Sequence, residues 1–126
     1  MIARDRAQRG SVSIVVAGLA TVALVASLGV ADVGTALVAR ARARAAADAA
    51  ALAAAQELAL PGVRTPVELA DEYAVHNGAT LVWCDCASGT LAAEVEVEVA
   101  IGPMFLAADG LTARARARAV IDMPVA

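Results

Sequence analysis

The fold is decided by one uncharged stretch, residues 11–31, which reads SVSIVVAGLATVALVASLGVA. Ten of its residues are Val, Ile or Leu, and each of these favours insertion into a membrane by about 0.3–0.6 kcal/mol. As a helix rising about 1.5 Å per residue, the stretch reaches roughly 31 Å, which is enough to cross the hydrocarbon core of a bilayer. The sequence therefore predicts a transmembrane helix near the start of the chain.

The segment before this span, residues 1–10, is a short basic head with three Arg. Arg residues also follow the span, so the positive-inside rule alone does not orient it. We expect the head in the cytoplasm, because it is the shorter charged segment and lies directly against the span. The predicted location is the cell membrane, with one span and an extracytoplasmic C-terminal part. Two cuts are open: one near Ala31 would release the chain, and one at Gly10-Ser11 would keep the span.

The helix is predicted to continue beyond the membrane. No Pro follows until Pro61, and Ala36–Leu60 is dominated by Ala, the strongest helix former. The prediction is one rod over residues 11–60, roughly 75 Å long. Small residues let helices approach closely, so we expect the outer half to pack against neighbours, with a lone anchor and stalk as the alternative. The residues predicted for this packing are Ala46, Ala47, Asp48, Ala50 and Leu52.

Residues 61–126 are predicted to form a small extracytoplasmic αβββ module. Thr65 can cap a helix that Pro66 starts, with Glu68 completing a capping box. This helix should reach Val75 or His76, where Asn77-Gly78 stop it. Its apolar stripe is predicted from Leu69, Ala70 and Tyr73.

Three strands are predicted after this helix, over Thr80–Cys86, Leu91–Ile101 and Leu111–Ile121. The second and third alternate apolar with charged residues, as half-buried strands do. If Ile101 lies opposite Leu111, one antiparallel register matches three opposite charges and puts both apolar rows on one side. The predicted pairs are Glu98–Arg114, Glu96–Arg116 and Glu94–Arg118.

The first strand fits this sheet less well. A two-residue turn at Ser88-Gly89 would turn Val82, Cys84 and Cys86 inward and leave Leu81 and Trp83 on the charged face. Either a bulge shifts the register, or this edge meets a partner. The loop Gly102–Gly110 is conspicuously apolar, and it either folds back over the core edge or contacts another protein. The candidate partner-contact residues are Trp83, Met104, Phe105 and Leu106.

Cys84 and Cys86 form a candidate thiol pair. Residues i and i+2 of a strand share a face, with Cα atoms about 6.8 Å apart, at the outer limit of disulfide geometry. The favoured interpretation is two buried free thiols. A strained bridge and a bond to another chain remain as alternatives.

Composition argues against several classes of function. The net charge is −3 and aromatic residues make up 2% of the chain, so neither a basic surface nor base-stacking platforms for nucleic acid are expected. His76 is the only histidine; together with Cys84, Asp85 and Cys86 it meets no established metal-ligand spacing. No phosphate loop or nucleophile elbow is present. We expect no enzyme, no metal and no cofactor.

The assembled pattern resembles the TadE/TadG-like pseudopilins of tight-adherence (Flp-type) pilus systems. The residues that carry this resemblance are the junction Arg9-Gly10-Ser11-Val12, the span, and the stretch 44–55, which reads RAAADAAALAAA. Residues 76–84 and the closing alternation of Ala and Arg resemble, more narrowly, the short actinobacterial TadE-like proteins encoded near secretion genes.

The resemblance implies an α+β, pilin-like fold and a prepilin peptidase that cuts after Gly10, leaving Ser11 as the new N-terminus. It also implies storage in membrane lipid and assembly with other pilin-like subunits or Tad assembly proteins. Many pilins have Glu at the fifth mature position, where this chain has Val15, and this favours a minor or accessory subunit. Short family members tend to have a cysteine in the helix before the sheet; Thr65–His76 has none.

The expected function is therefore a minor pseudopilin or accessory structural subunit of a Tad/Flp-type pilus or secretion apparatus. The alternative is a single-pass membrane protein whose small extracytoplasmic domain binds another protein. A fully secreted protein, released by cleavage near Ala31, is the third interpretation.

Overall fold

The computed structural model describes residues 2–124, and it describes side-chain surroundings from residue 10 onward. Of the predicted basic head, residues 1–10, only the helical backbone from residue 2 and the surroundings of Gly10 lie within the described part. Two helices are followed by three strands, in the order α1, α2, β1, β2, β3. This confirms the predicted α+β architecture of a long apolar helix, a small helix and a three-stranded antiparallel sheet.

The first helix, α1, is unbroken over Ile2–Ala59, a length of 58 residues. It begins earlier than the predicted rod, because residues 2–9 contain neither Pro nor Gly to interrupt it. Pro61 ends it, since a proline disfavours helical geometry in the preceding residue. At this end the amide of Leu60 donates to the carbonyl of Gln56 over 2.9 Å, and the amide of Gly62 donates to the Glu57 carboxylate.

The two halves of α1 lie in different surroundings. Every residue from 10 to 27 is exposed, whereas buried positions recur at helical spacing from Asp32 to Ala55. The second half contacts α2, β2 and β3. The half of α1 after residue 32 is therefore the central element of the folded part. The half before residue 32 projects from that folded part.

The second helix, α2, spans Pro66–His76 and has the predicted capping box. The Thr65 hydroxyl accepts from the Glu68 amide at 3.2 Å, and the Thr65 amide donates to the Glu68 carboxylate at 2.8 Å. The predicted apolar stripe is partly wrong, because Ala70 and Ala74 are the buried residues and Tyr73 is 44% exposed. Both buried side chains are small, which lets α2 approach the alanine surface of α1 closely.

The sheet has the strand order β1-β2-β3, with β1 at Thr80–Asp85, β2 at Ala92–Ala100 and β3 at Thr112–Val120. All neighbours are antiparallel. The predicted register of β2 and β3 is confirmed, with the three Glu residues opposite the three Arg residues. The ion pairs formed include Arg114–Glu98 at 3.2 Å and Arg116–Glu96 at 2.5 Å.

The edge strand β1 contains the bulge that its sequence pattern allowed. The register shifts between Leu81 and Trp83, and the extra residue, Val82, is 44% exposed. Leu81 and Cys84 therefore both pack against the core. The inward placement of Val82 that a regular hairpin would give is wrong, because the bulge reverses its face.

The core lies between the second half of α1, α2 and the inner face of the sheet. Its largest fully buried side chains are Val95 and Val97; the helices contribute mainly alanine. Because alanine fills little space, helix and sheet must lie close together for these contacts to form. The fully buried alanines of α1 are Ala43, Ala46, Ala47, Ala50 and Ala54.

Candidate functional site

The junction between the basic head and the apolar stretch lies inside α1. Gly10 and Ser11 are both exposed and helical. A Cβ atom added at Gly10 would meet nothing within 4 Å. A larger side chain therefore fits here without disturbing the protein's own packing, so a requirement for glycine would have to come from another molecule. Val15 is 59% exposed, on the same projecting part of the helix.

Two hydroxyl groups on the projecting half of α1 are hydrogen-bonded within the helix itself. The hydroxyl of Thr21 donates to the carbonyl of Ala17 at 2.9 Å, and that of Ser27 to the carbonyl of Ala23 at 2.8 Å. A hydroxyl bonded one turn back needs no water, which suits a helix surrounded by lipid. Among the described residues, one helix is long and apolar enough to cross a membrane, the part of α1 at Gly10–Ala59, by length and composition. This suggests a single-pass membrane anchor.

Asp32 is the first charged residue after the span and is only 7% exposed. Its Oδ1 accepts a hydrogen bond from the amide of Phe105, and its Oδ2 accepts one from the amide of Leu106, each at 2.7 Å. A buried carboxylate needs such partners. We call this pair of hydrogen bonds the Asp32 contact; it ties the loop between β2 and β3 to α1 at the end of the apolar stretch.

Two glycines place this loop along the helix. A Cβ added at Gly29 would lie 3.8 Å from Cδ1 of Leu106, and one added at Gly102 would lie 3.6 Å from Cγ2 of Thr35. The loop thus follows α1 from Gly29 to Thr35. This agrees with the predicted alternative in which the loop folds back over the edge of the core. Even so, Phe105 is 70% and Leu106 56% exposed, whereas Met104 is half-buried.

Asp32 was not among the site residues predicted from the sequence. The available signal was its isolation, because it is the only charged residue between positions 10 and 39. Its partners lie 73 and 74 residues further along the chain, and they are backbone amides, which no side-chain pattern indicates.

The residues predicted to pack against neighbouring helices are divided by the structure. Ala46, Ala47 and Ala50 have no exposed surface, because the chain's own α2 and sheet cover them. Asp48 is exposed and Leu52 is 55% exposed. The prediction that all five face another subunit is corrected accordingly: the three alanines form the intramolecular core, which leaves two positions for contact outside it.

Trp83 lies apart from the apolar loop. It is 45% exposed and sits on the charged face of the sheet, with the Arg116 guanidinium 5.8 Å from its ring centroid. Arg116 also pairs with Glu96, a carboxylate only 9% exposed. The four predicted partner-contact residues therefore occupy two surfaces, one on the sheet face and one beside α1.

Cys84 and Cys86 form a disulfide with their Cα atoms 5.5 Å apart. The favoured interpretation of two free thiols is therefore wrong. It assumed that both residues lie in an extended strand. In the structure β1 ends at Asp85, and the two Cα atoms are closer together than the roughly 6.8 Å that an extended strand gives. Cys86 is buried, and Cys84 packs against the core.

Within residues 10–124, the structure brings together no group of three His, Cys, Asp or Glu side chains that could hold a metal ion. His76 is exposed at the end of α2. What this part of the chain presents is packing surface: an exposed apolar helix, an apolar loop beside it and an aromatic residue on the sheet.

Fold and surface together define a class of protein, a small α+β module built around the continuation of an exposed apolar helix that is long enough to cross a membrane. A family model described as "Putative Flp pilus-assembly TadE/G-like" matches residues 10–57, all within α1. This match supports a TadE-like protein and suggests a Flp pilus-associated protein. No curated protein and no solved structure gives a significant match to the chain.

Proposed function

We propose that the protein is a minor pseudopilin or accessory structural subunit of a Tad/Flp-type pilus or secretion apparatus. The observation that carries this proposal is the form of α1: one continuous helix whose second half is the core of a folded module and whose first half, residues 10–27, is exposed and apolar. Lipid can cover that half before assembly, and neighbouring helices can cover it afterwards.

The surface of the projecting half suits such an exchange. Small residues alternate with branched ones along it, and small residues allow close helix–helix approach in membranes. The folded module buries its alanines internally, so lateral contact falls to the exposed residues of α1. The large apolar side chains exposed on the second half are Val33, Leu37, Val38 and Leu52.

Processing at the head would prepare this helix for assembly. A prepilin peptidase cutting after Gly10 would leave Ser11 as the N-terminus at the cytoplasmic end of the span, with the module outside the cell. The mature chain would have Val15 where many pilins have Glu. Without that carboxylate the neighbour's N-terminal amine lacks its usual partner, which favours a minor or accessory role over that of the major subunit.

The test is the mature N-terminus of the membrane-bound protein, read by mass spectrometry in cells that contain a prepilin peptidase. The expected N-terminus is Ser11, and Gly10→Val should leave the head on the chain. Gly18→Val is the matched control, because a Cβ at Gly18 also meets nothing within 4 Å; this variant should be processed normally. An intact head on the wild-type chain would contradict the proposal.

The alternative function is a single-pass membrane protein that binds a partner through its module. The observation that favours it is Trp83, an exposed aromatic residue beside the Arg116 guanidinium. This function predicts that the head stays on the chain and that Trp83→Ala abolishes binding of the partner.

The third interpretation, release by cleavage near Ala31, predicts Asp32 at or near the N-terminus. The same measurement of the mature N-terminus therefore separates all three interpretations.

A further inference from the structure

We propose that the loop Gly102–Gly110 is a second membrane contact, with Phe105 and Leu106 inserted among the lipid headgroups and first acyl carbons beside α1. We call it the interfacial loop. The inference rests on the membrane anchoring of α1 that the proposed function contains, but not on processing or assembly into a pilus.

The loop lies close to the end of the apolar stretch. The hydrocarbon core of a bilayer is about 30 Å thick, and residues 11–31 span about that length as a helix. Asp32, the first charge, therefore marks the edge of the core. The Asp32 contact and the approach of Leu106 to Gly29 hold the loop within about two turns of that edge.

The chemistry of the loop suits contact with lipid. Residues 102–108 carry no charge, and Phe105 and Leu106 remain largely exposed although the loop lies against the protein. Their amides, which would otherwise need water, are bonded to the Asp32 carboxylate. The apolar face of an interfacial helix is buried about 5–10 Å into the boundary between headgroups and acyl chains, and exposed apolar side chains of a loop at that boundary meet the same surroundings. The interfacial loop thus presents apolar groups to lipid with the backbone hydrogen bonds at its tip already made.

The occupant is lipid because the loop's exposed surface is continuous with that of the span. Leu106 lies directly over Gly29, which belongs to the apolar stretch. Any bilayer that surrounds residues 11–31 therefore reaches the loop as well. A second copy of the chain is the competing occupant, and the experiment below separates the two.

The test places a single tryptophan at chosen depths in the full-length protein, reconstituted in phosphatidylcholine vesicles. Trp83→Phe removes the native fluorophore, and the reporters are Phe105→Trp, Val22→Trp and Val63→Trp. Val22 lies in the span and Val63 is fully exposed beyond the far end of α1. Bromine atoms on the acyl chains, either near the headgroup or near the chain ends, quench tryptophan that they contact.

The expected result is a loss of Phe105→Trp emission with shallow bromines, a loss of Val22→Trp emission with deep bromines, and little change for Val63→Trp. Val63→Trp shows that an exposed tryptophan does not by itself draw its segment into lipid. Adding Asp32→Ala should reduce the shallow quenching at position 105, because the loop is then no longer held at the boundary.

Quenching at Val22→Trp without quenching at Phe105→Trp would overturn the interfacial loop and leave the anchor standing. Lack of quenching at both would overturn the anchor, and the inference with it. A blue shift at Phe105→Trp that grows with protein density, without quenching, would show that a second copy covers the loop and would also overturn the inference.

Discussion

At the scale of single residues, Asp32 connects two segments that lie far apart in the chain. Its two carboxylate oxygens bond to amides more than 70 residues away, and both bonds involve a charged acceptor, which strengthens them relative to neutral hydrogen bonds. Among the residues whose side chains the structure describes, no other side chain of α1 is bonded twice to this loop. The position of the interfacial loop therefore depends strongly on this one side chain.

Replacing Asp32 should free the loop without unfolding the sheet. In Asp32→Ala, the amides of Phe105 and Leu106 lose their acceptor, and we expect chymotrypsin to cleave the loop severalfold faster in detergent solution. Asp109→Ala is the matched control, since Asp109 is an exposed carboxylate in the same loop; its cleavage rate should stay close to that of the wild type. Equal rates in both variants would show that the Asp32 contact does not hold the loop.

Glu68 gives the stability a defined dependence on pH. The hydrogen bond from the Thr65 amide, then that from the Thr65 hydroxyl, with the nearby charge of Arg64, holds the pKa of Glu68 below its ordinary value of 4.5. A lowered folded-state pKa means that the stabilisation is present above pH 4.5 and is lost as pH falls through the folded-state value. We expect the Tm of the wild type to fall towards that of Glu68→Gln over this acidic range.

The control for this prediction is Glu72→Gln, one turn further along α2. Glu72 pairs with Arg64 on the surface, and exposed pairs contribute little to stability. Its Tm should therefore follow the wild-type curve closely. A constant difference between wild type and Glu68→Gln down to pH 3 would contradict the role of ionised Glu68 in the cap.

At the scale of elements, the second half of α1 is a core helix made of alanine. Ala50 of α1 is fully buried in the core that α1 forms with α2 and the sheet. Ala50→Leu therefore adds volume that this core cannot accept. Overpacking of this kind typically costs about 1–3 kcal/mol. We expect that loss in chemical denaturation of the purified protein.

Ala41→Leu is the matched control, because Ala41 is exposed on the same helix and surface substitutions usually change stability by less than about 0.5 kcal/mol. If Ala50→Leu left the stability of the isolated protein unchanged but impaired assembly, the alanine surface would face another subunit. The original lateral-packing prediction would then be restored.

The elements differ in how far their sequence determined their packing. The register of β2 and β3 was predictable, since three Glu and three Arg residues at alternate positions match in one alignment only. The burial of the second half of α1 was not predictable. Alanine occupies all sides of that half, so its pattern does not indicate which side the module covers. Tyr73 was wrongly predicted to lie on the buried side of α2 for a related reason. Because α2 packs closely against α1, its buried positions are occupied by small residues and not by large ones.

The candidate sites show the same difference. The Gly10-Ser11 junction and the apolar loop stand out in the local sequence. Predicting the disulfide required knowing the path of the backbone after Asp85, at the end of β1. Predicting the Asp32 contact required knowing that two segments distant in sequence lie side by side. Local spacing contains neither piece of information.

At the scale of the whole molecule, the physical division of the chain falls near residue 32 rather than at the loop after α1. Before it, α1 is exposed and apolar; after it, the helix, α2 and the sheet share one core. The family match over residues 10–57 includes both parts. One unbroken helix therefore links whatever covers the apolar half to the module. The sheet face and the disulfide lie on the module side of residue 32, and the loop lies at the division itself.

This arrangement makes the proposed orientation testable with two engineered cysteines. In a Cys84→Ala/Cys86→Ala, Gly10→Val background, Ser88→Cys reports on the module, where Ser88 is exposed, and Gln8→Cys reports on the head. Because one span separates the two positions, a membrane-impermeant maleimide should label Ser88→Cys in intact cells and Gln8→Cys only after permeabilisation. The opposite pattern would place the module in the cytoplasm, and labelling of both in intact cells would mean that residues 11–31 do not cross the membrane.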